Sequence, residues 1–424
     1  MFTRQPLDVV VVGAGVVGAA CAYHATRSGL SVAVVDGGPV AGGTTGAGEG
    51  NLLVSDKPPG PELSLALLSS SLWREWSEEL PRDVEFEQKG GLVVAADEAS
   101  LATLTATAAG QSRAGVRVTA VAPHELPDVE PHLASGLAGG VLYPQDAQVQ
   151  PALAAAHLIR AARDAGAIVR LGTPVTAVLT GPAGEVRGVR TGAGDLLAPA
   201  VVNATGVRGG EFAALAGVEL PVLPRRGFVL VTEPLPPLIR HKVYAAEYVA
   251  DVSSASAALQ TSPVVEGTPS GPVLIGASRE RVGFDRTLSV PAISRLAAAA
   301  AALFPVLGDT RVLRAYHGFR PYLPDHLPAI GPDRRVPGLF HACGHEGAGI
   351  GLAPATAVLV TAAIRGEEPP LDPVPFNPGR FGEARPGGAR PPGRAGSPPP
   401  GGSPPSGSGA GSPVGADPAE PLPG

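Results

Sequence analysis

DVVVVGAGVVGAACAYHATRSGLSVAVVD, residues 8–36, is the stretch that decides the fold of this chain. It opens with a β-branched run at residues 9–12, which is typical of a strand buried on both faces. A second apolar run, residues 31–35, follows after about 20 residues that suit a helix. Strand, glycine turn, helix and strand in this order predict a βαβ unit with parallel strands.

Three glycines, Gly13, Gly15 and Gly18, stand between the first strand and the helix at GxGxxG spacing. The first permits a tight turn, the second lets the backbone approach a pyrophosphate, and the third lets the helix pack closely on its strand. The helix, which begins near Val16, directs its N-terminal amides at phosphates. Asp36 ends the second strand, where its carboxylate can accept hydrogen bonds from ribose hydroxyls. The unit predicts a dinucleotide site for NAD or FAD, and the alternative is an ordinary buried βαβ unit.

The composition limits the class of protein. A chain of 424 residues that is 44% hydrophobic is long enough for two domains with cores of their own. The net charge of −6 gives no general attraction to nucleic acid, and Cys21 and Cys343, the only cysteines, cannot supply a disulfide framework or a cysteine metal cluster. Since the apolar runs are short, we expect a soluble protein. The two cysteines fit a reducing cytoplasm, and from the charge and the cysteine count we expect binding of neither nucleic acid nor metal.

A glycine-rich loop, GGPVAGGTTGAGEGN at residues 37–51, follows the opening unit. It is too long for a simple connection, and its glycines allow the backbone to lie against a flat ring. The hydroxyls of Thr44 and Thr45 can bond phosphate or ribitol oxygens. The loop is therefore expected to contact the ligand, with a mobile surface loop as the alternative.

The rest of the chain predicts a second, interleaved domain. Residues 62–80 suit an amphipathic helix in which Trp73 and Trp76 belong to the core, and residues 84–87 predict a strand. Residues 221–308 are rich in strand patterns, which indicates an antiparallel sheet. The fold class is therefore α/β, a Rossmann-like domain with an interleaved α+β domain on an antiparallel sheet. The expected boundaries are 1–83, 148–220 and 310–381 for the first domain, 84–147 and 221–309 for the second, and 382–424 for a disordered tail rich in proline, glycine and serine.

A second glycine-rich turn lies near the end of the patterned sequence, in GHEGAGIGLAPATA at residues 344–357. It opens a helix expected to begin near Gly349. Amides at such a helix start can converge on an anion or a carbonyl oxygen.

Several of these segments together resemble the D-amino-acid oxidase-like family of FAD-dependent oxidoreductases, over about residues 7–381. Within this family the chain is further similar to glycine oxidases and, through EGNLLVSDK and GHEGAGIGL, to the β subunits of D-hydroxyproline or opine dehydrogenases. The segments that carry the resemblance are the opening unit, GTTGAGEGN (43–51), NATG (203–206), GFRPYLPDHLPAIGP (318–332) and GHEGAGIGLAPATA.

The resemblance implies FAD as the cofactor. Some relatives link the flavin to a cysteine near the position of Gly318, so this chain is expected to bind FAD non-covalently. The resemblance also implies that backbone near Val175 meets adenine and that amides at 347–352 face the flavin ring. The implied cofactor-binding residues are Gly13, Gly15, Gly18, Asp36, Thr44, Thr45, Gly50, Asn51, Val175, Gly347, Gly349, Ile350, Gly351 and Leu352.

Three candidate catalytic residues also follow from the resemblance. Arg320 matches an arginine that grips the substrate carboxylate, and a planar guanidinium suits this task because it makes two parallel charge-assisted bonds. Tyr248 falls where relatives place a substrate-binding tyrosine. His317 either tunes a substrate amine or is a core histidine. Glu49 and Glu346 are the carboxylates nearest the implied ring, and each is either a base or a loop-ordering residue.

The activity implied by the resemblance is oxidation of the C–N bond of a small D-amino or cyclic imino acid, such as D-proline or D-hydroxyproline. Hydride transfer to flavin N5 gives an imine, and the electrons pass to oxygen, a quinone or a partner subunit. Glycine oxidases carry an arginine where this chain has Gly347, which argues against glycine as the substrate. The alternatives are oxidation of sarcosine or another N-methyl amine, and a flavin-bearing subunit of a hetero-oligomeric dehydrogenase. The enzyme is expected as a homo- or hetero-oligomer.

Overall fold

The computed structural model describes residues 6–81, 84–246, 248 and 256–382. The expected tail therefore lies outside the described residues, apart from its first position. The strands are β1 (Val9–Val12), β2 (Val32–Val35), β3 (Asn51–Leu52), β4 (Gly91–Ala95), β5 (Thr119–Val121), β6 (Gly139–Tyr143), β7 (Ala147–Gln148), β8 (Ile168–Arg170), β9 (Val175–Thr180), β10 (Val186–Thr191), β11 (Gly194–Leu197), β12 (Ala200–Asn203), β13 (Leu223–Pro234), β14 (Lys242–Ala245), β15 (Gln260–Gly267), β16 (Pro272–Arg279), β17 (Val312–Tyr322), β18 (Ala329–Pro332) and β19 (Leu339–Cys343). The helices are α1 (Val16–Arg27), α2 (Pro61–Glu79), α3 (Glu98–Arg113), α4 (Leu126–Val129), α5 (Pro151–Asp164), α6 (Gly209–Leu215), α7 (Val290–Leu303) and α8 (Gly349–Arg365), with a 3₁₀ turn at Thr44–Ala47.

A six-stranded sheet is built around the opening stretch, in the order β18-β19-β12-β1-β2-β8. β1 pairs in parallel with both β2 and β12, and its four valines are buried because both faces of the sheet are covered. The chain passes from β1 to β2 on one side and returns as β12 on the other. This reversal makes the carboxyl end of β1 a topological switch point, the place where ligands bind in open α/β sheets.

An eight-stranded sheet forms the second layer, in the order β17-β13-β16-β15-β14-β4-β6-β5. Its pairs are antiparallel except for β14 and β4, which run parallel. The antiparallel sheet predicted from the sequence is thus present, and the α/β fold class is confirmed. β17 belongs to this sheet, whereas the boundaries expected from the sequence assign residues 310–381 to the first domain. The division into two domains stays a prediction.

The strand expected at residues 84–87 is not formed. Glu85 has φ of 55°, a left-handed conformation that interrupts an extended strand, and only Glu87 makes an isolated bridge, to Gln148. A short strand with few apolar residues depends on its neighbours, which the local pattern does not contain.

The two tryptophans of α2 are core residues, as predicted. Trp73 and Trp76 are buried, and the Trp73 indole Nε1 donates a hydrogen bond to the Ile350 carbonyl oxygen at 2.8 Å. This bond ties α2 to the first turn of α8 and so fixes the position of that helix start. In the described part of the chain, the helices lack the combination of length and apolarity that crossing a bilayer requires.

Candidate active site

A cavity of about 1170 Å³ extends from the carboxyl ends of β1 and β2 to one face of the eight-stranded sheet. Val12 and Val35 line its first end, and Gly227, Arg279 and Arg320 line the other. The volume exceeds the roughly 300–1,000 Å³ of most small-molecule sites. It therefore has room for a dinucleotide and a second, small molecule.

The glycine turn after β1 forms one wall of the cavity. Gly13 has φ of +114°, and a Cβ atom there would collide with the Ala204 carbonyl group. Gly15 is extended and precedes α1 without a side-chain cap, and both glycines line the cavity. Gly18 does not line the cavity. At this residue α1 packs directly against the Gly13 carbonyl oxygen. The turn thus presents bare backbone and the positive end of a helix to the cavity.

Asp36 lies at the same end, beyond β2. Its carboxylate accepts hydrogen bonds from the Ala14 amide at 2.6 Å and the Gly38 amide at 2.7 Å, which hold the side chain against the glycine turn. A carboxylate has further lone pairs that remain available for hydroxyls. Val175 lines the cavity nearby, together with Pro174.

The glycine-rich loop forms the middle of the cavity wall. The Thr44 hydroxyl donates to the Phe319 carbonyl oxygen at 2.6 Å, and the Thr45 hydroxyl accepts from the Val16 amide at 3.0 Å. Asn51 also lines the cavity, and its Oδ1 is buried without a hydrogen-bond partner among the described residues. An unpaired buried acceptor is costly, so it indicates a donor on a ligand. Gly50, by contrast, packs against the Val149 backbone and does not line the cavity.

The start of α8 closes the cavity from the other side. Gly347, Gly349, Ile350 and Gly351 line it, whereas Leu352 is buried inside the helix packing. The first amides of a helix have no intrahelical acceptor, and the N-cap residue of α8 supplies no side-chain acceptor in its place. Together with the unpaired Asn51 acceptor and the bare glycine turn, these donors fit a dinucleotide that carries a polar ring system.

Arg320 dominates the far end of the cavity. Its Nη1 donates to the Ser278 carbonyl oxygen at 2.8 Å, and a Cβ atom on Gly227 would collide with the guanidinium. Gly347 leaves space on another side, where a Cβ atom would lie 3.3 Å from Arg320 Nε. Burial, followed by the charge of Arg279, lowers the pKa of Arg320 to about 10, so the group stays charged at neutral pH. No carboxylate among the described residues forms an ion pair with it.

Arg279 is a site residue that the sequence did not reveal. It ends β16, lines the cavity, and its Cζ lies 4.5 Å from the centroid of the Tyr248 ring. Its Nη1 is buried without a hydrogen-bond partner among the described residues. Tyr248 also lines the cavity, and burial raises the pKa of its phenol. Only the register of β16 in the sheet brings Arg279 here, so no local motif could have indicated it.

Glu49 is a buried carboxylate at this end of the cavity. Its Oε1 is buried without a partner among the described residues, and the bare backbone of Gly276 gives the carboxylate its space. Burial raises the pKa of Glu49, and the charge of Lys242 opposes that shift. The carboxyl group therefore titrates above its ordinary range.

Glu346, the other candidate carboxylate, is already paired. It contacts Arg225 at 2.6 Å and His326 at 2.9 Å. Burial opposes ionisation, but the hydrogen bond from His326 and the Arg225 charge together hold the pKa of Glu346 below its ordinary value. Glu346 orders the α8 turn and is not free to act as a base.

His317 does not line the cavity. Side chains alternate along β17, so Gly318 and Arg320 face the cavity while His317 faces the opposite side of the sheet. Its ring packs 5.5 Å from that of Phe228 and 5.7 Å from that of Phe319. The structure thus keeps His317 from direct contact with a molecule in the cavity and places it, half-buried, against Phe228 and Phe319.

The cysteines and potential metal ligands give no further reactive group here. Cys343 lines the cavity, but burial raises the pKa of its thiol to about 12, and the same holds for buried Cys21. Within the described residues, no three side chains of His, Cys, Asp or Glu converge on a point where a metal ion could be held.

A glycine-lined cleft on a parallel sheet, joined to a cationic pocket beneath an antiparallel sheet, defines a dinucleotide-dependent oxidoreductase. Residues 8–363 match the family described as DAO, FAD dependent oxidoreductase. The chain belongs to this family, and the resemblance predicted from its motifs is confirmed. It is an FAD-dependent oxidoreductase.

Three relatives match over nearly their whole length. Hydrogen cyanide synthase subunit HcnC of Pseudomonas aeruginosa is 31% identical over 89% of this chain and 97% of its own. Glycine oxidase of Geobacillus kaustophilus is 31% identical over 87% and 96%, and its crystal structure superposes with a TM-score of 0.79 at 29% identity over 88% of this chain and 98% of that one. L-proline dehydrogenase from P. horikoshii shares the fold, with a TM-score of 0.80 at 24% identity over 89% and 98%.

Proposed function

We propose that this enzyme oxidises the C–N bond of a small D-amino or cyclic imino acid whose carboxylate is held by Arg320. The observation that carries the proposal is the buried guanidinium of Arg320, which faces the cavity without a carboxylate partner among the described residues. A charged guanidinium in such a site favours a carboxylate, because two parallel charge-assisted bonds replace its lost hydration. Tyr248 adds an aromatic wall beside the same space.

Binding of the cofactor is part of the proposal. The glycine turn after β1, Asp36, the threonine loop and the amides at the start of α8 hold FAD non-covalently. FAD, when bound, supplies the hydride acceptor for the C–N oxidation. The residues of this chain bind the substrate, orient its α-carbon and exclude water from the buried end of the cavity.

Glu49 controls the proton on the substrate amine. The amine must be neutral for oxidation, and the substrate arrives largely as an ammonium ion. The unpaired Glu49 Oε1 is suited to accept a hydrogen bond from that ammonium and to receive its proton. Burial keeps the pKa of Glu49 above its ordinary value, which brings its proton affinity closer to that of the amine.

A second candidate is that the chain is the flavin-bearing subunit of a hetero-oligomeric dehydrogenase. It is favoured by the similarity to HcnC over 97% of that protein, which is named as a subunit of hydrogen cyanide synthase. In this case the electrons taken from the substrate would go to a partner or a quinone instead of oxygen.

The direct test is anaerobic reduction of the bound flavin. The purified protein should be mixed with glycine, sarcosine, D-alanine, D-proline and D-hydroxyproline, and visible absorbance followed. We expect bleaching by the D-imino acids and little by glycine. Bleaching that reverses in air identifies an oxidase, whereas bleaching that reverses only with an artificial acceptor favours the dehydrogenase. Bleaching by none of these compounds would refute the proposed substrate class.

Glu49→Gln should change the pH dependence of catalysis. The ionised carboxylate is the form that binds an ammonium, so kcat/KM should rise as pH increases through the pKa of Glu49, above its ordinary 4.5. The amide cannot ionise, so this acid limb should vanish and kcat/KM at neutral pH should fall about 10- to 100-fold. The profile should be measured from pH 5 to 9, with Glu85→Gln as a control outside the cavity wall. An unchanged acid limb in Glu49→Gln would remove Glu49 from this role.

A further inference from the structure

A second guanidinium faces the substrate end of the cavity, and recognition of one carboxylate does not require it. Arg279 comes from β16, whereas Arg320 comes from β17, and both line the cavity. Arg320 Nη1 donates to the carbonyl oxygen of Ser278, the residue directly before Arg279, which places the two groups close together. Arg279 Cζ lies 4.5 Å from the centroid of the Tyr248 ring, and Tyr248 lines the same cavity.

The charges at this end depend on two carboxyl groups. Asp56 is paired with Lys57 at 2.6 Å, and Glu346 is engaged by Arg225 and His326. Arg279 and Arg320 line the cavity without an ion-pair partner among the described residues, as do the carboxyl groups of Glu49 and Glu62. Burial raises the pKa of Glu49 and raises the pKa of Glu62 to about 7, and whenever either carboxyl group is protonated the space carries a net positive charge. A zwitterion with one carboxylate is neutral, whereas an amino acid with two carboxylates carries the negative charge that the space lacks.

Stacking on Tyr248 does not satisfy Arg279. A cation over a ring uses the face of the guanidinium and leaves its N–H groups free. The Nη1 group is buried and has no acceptor among the described residues, and an unpaired buried donor on a charged group is costly. A ligand acceptor of opposite charge removes this cost, and a carboxylate matches the guanidinium fork.

We propose that Arg279 binds a second carboxylate of the substrate, so that the enzyme prefers amino dicarboxylates over amino acids with one acidic group. This inference rests on the proposed function, because it adds a second anchor to the same substrate site. Arg320 then holds the carboxylate next to the reacting carbon, and Arg279 holds the distal one. Arg279 is a specificity-determining residue in this arrangement.

The test is equilibrium binding to the flavin-loaded protein, measured by titration calorimetry. The probes are oxydiacetate and methoxyacetate, which share an ether and differ by one carboxylate, and neither has a C–N bond to oxidise. We expect oxydiacetate to bind about 10- to 100-fold more tightly than methoxyacetate to the unchanged protein. In Arg279→Gln this ratio should fall to near one while the Kd of methoxyacetate changes less than about threefold.

The control is Arg281→Gln, since Arg281 stacks on Tyr322 at 4.7 Å and does not line the cavity. This variant should keep the wild-type ratio. Equal affinity of the two probes for the unchanged protein, no measurable binding of oxydiacetate, or an unchanged ratio in Arg279→Gln would each overturn the inference. Thermal unfolding and flavin content of both variants show whether a lost ratio comes from misfolding, and Arg279→Lys, which keeps the charge, should restore part of the ratio.

The outcome is independent of the proposed reaction. If Arg279→Gln abolishes the preference but no amine reduces the flavin, the carboxylate site stands and the proposed function fails. If amino acids reduce the flavin but oxydiacetate shows no preference over methoxyacetate, the second anchor fails and the proposed function stands.

Discussion

Replacing Gly15 with valine should give a folded protein that no longer retains FAD. Gly15 has φ of −71° and ψ of 174°, which a β-branched residue adopts without strain. A Cβ atom there meets only the Thr45 hydroxyl, at 3.1 Å, so a side chain fits once that hydroxyl shifts by a few tenths of an ångström. The added methyl groups instead fill the cavity beside the start of α1. The measurement is visible flavin absorbance relative to protein absorbance after purification and after dialysis against excess FAD.

Gly192→Val is the matched control for this prediction. Gly192 is exposed, lies outside the cavity wall and has nothing within 4 Å of an added Cβ atom. Both variants should keep the far-ultraviolet circular dichroism of the unchanged protein, and only Gly15→Val should lack flavin. A Gly15→Val protein that retains a full complement of FAD would show that the glycine turn does not hold the cofactor.

The dinucleotide end could be predicted from the sequence because its determinants are local. The valine run of β1, the glycine spacing and Asp36 all lie within residues 8–36, and the structure assembles them from adjacent strands. The amides at the start of α8 are likewise encoded in one continuous glycine-rich turn. A short segment with strong periodicity and fixed turn chemistry specifies its own conformation with little help from the rest of the chain.

The substrate end depends on sheet register, and there the sequence was less informative. Arg279 reaches the cavity because β16 pairs with β13 and β15, which no local pattern records. His317 lies only three residues from Arg320, but an odd separation along a strand places the two side chains on opposite faces. Motif proximity therefore brought His317 into the candidate site, whereas strand alternation removes its side chain from the cavity.

Glycine positions decide how these charged side chains fit. Gly227 lies opposite Gly318 in the pairing of β13 with β17, and its missing Cβ gives Arg320 its space. Gly276 does the same for Glu49. A glycine within a strand marks a close approach by another group, but the sequence alone does not say which group approaches. Packing of the two layers supplies that information.

Replacing Arg320 with lysine should lower kcat/KM for the best substrate about 100-fold while FAD stays bound. Lysine keeps a positive charge in the cavity but loses the planar fork that makes two parallel bonds to a carboxylate. Most of the loss should appear as a higher KM with a smaller fall in kcat, because the carboxylate is bound in the ground state as well as in the transition state. Steady-state kinetics and flavin content should be compared with those of Arg314→Lys, since Arg314 is exposed on the same strand and does not line the cavity. Arg314→Lys should match the unchanged protein.

Because Arg320 also bonds the Ser278 carbonyl oxygen, thermal unfolding of Arg320→Lys must be measured, and lysine can retain that bond. A stable, flavin-loaded Arg320→Lys with unchanged kcat/KM would mean that the substrate carboxylate binds elsewhere, whereas loss of flavin would mean that Arg320 supports the cofactor instead.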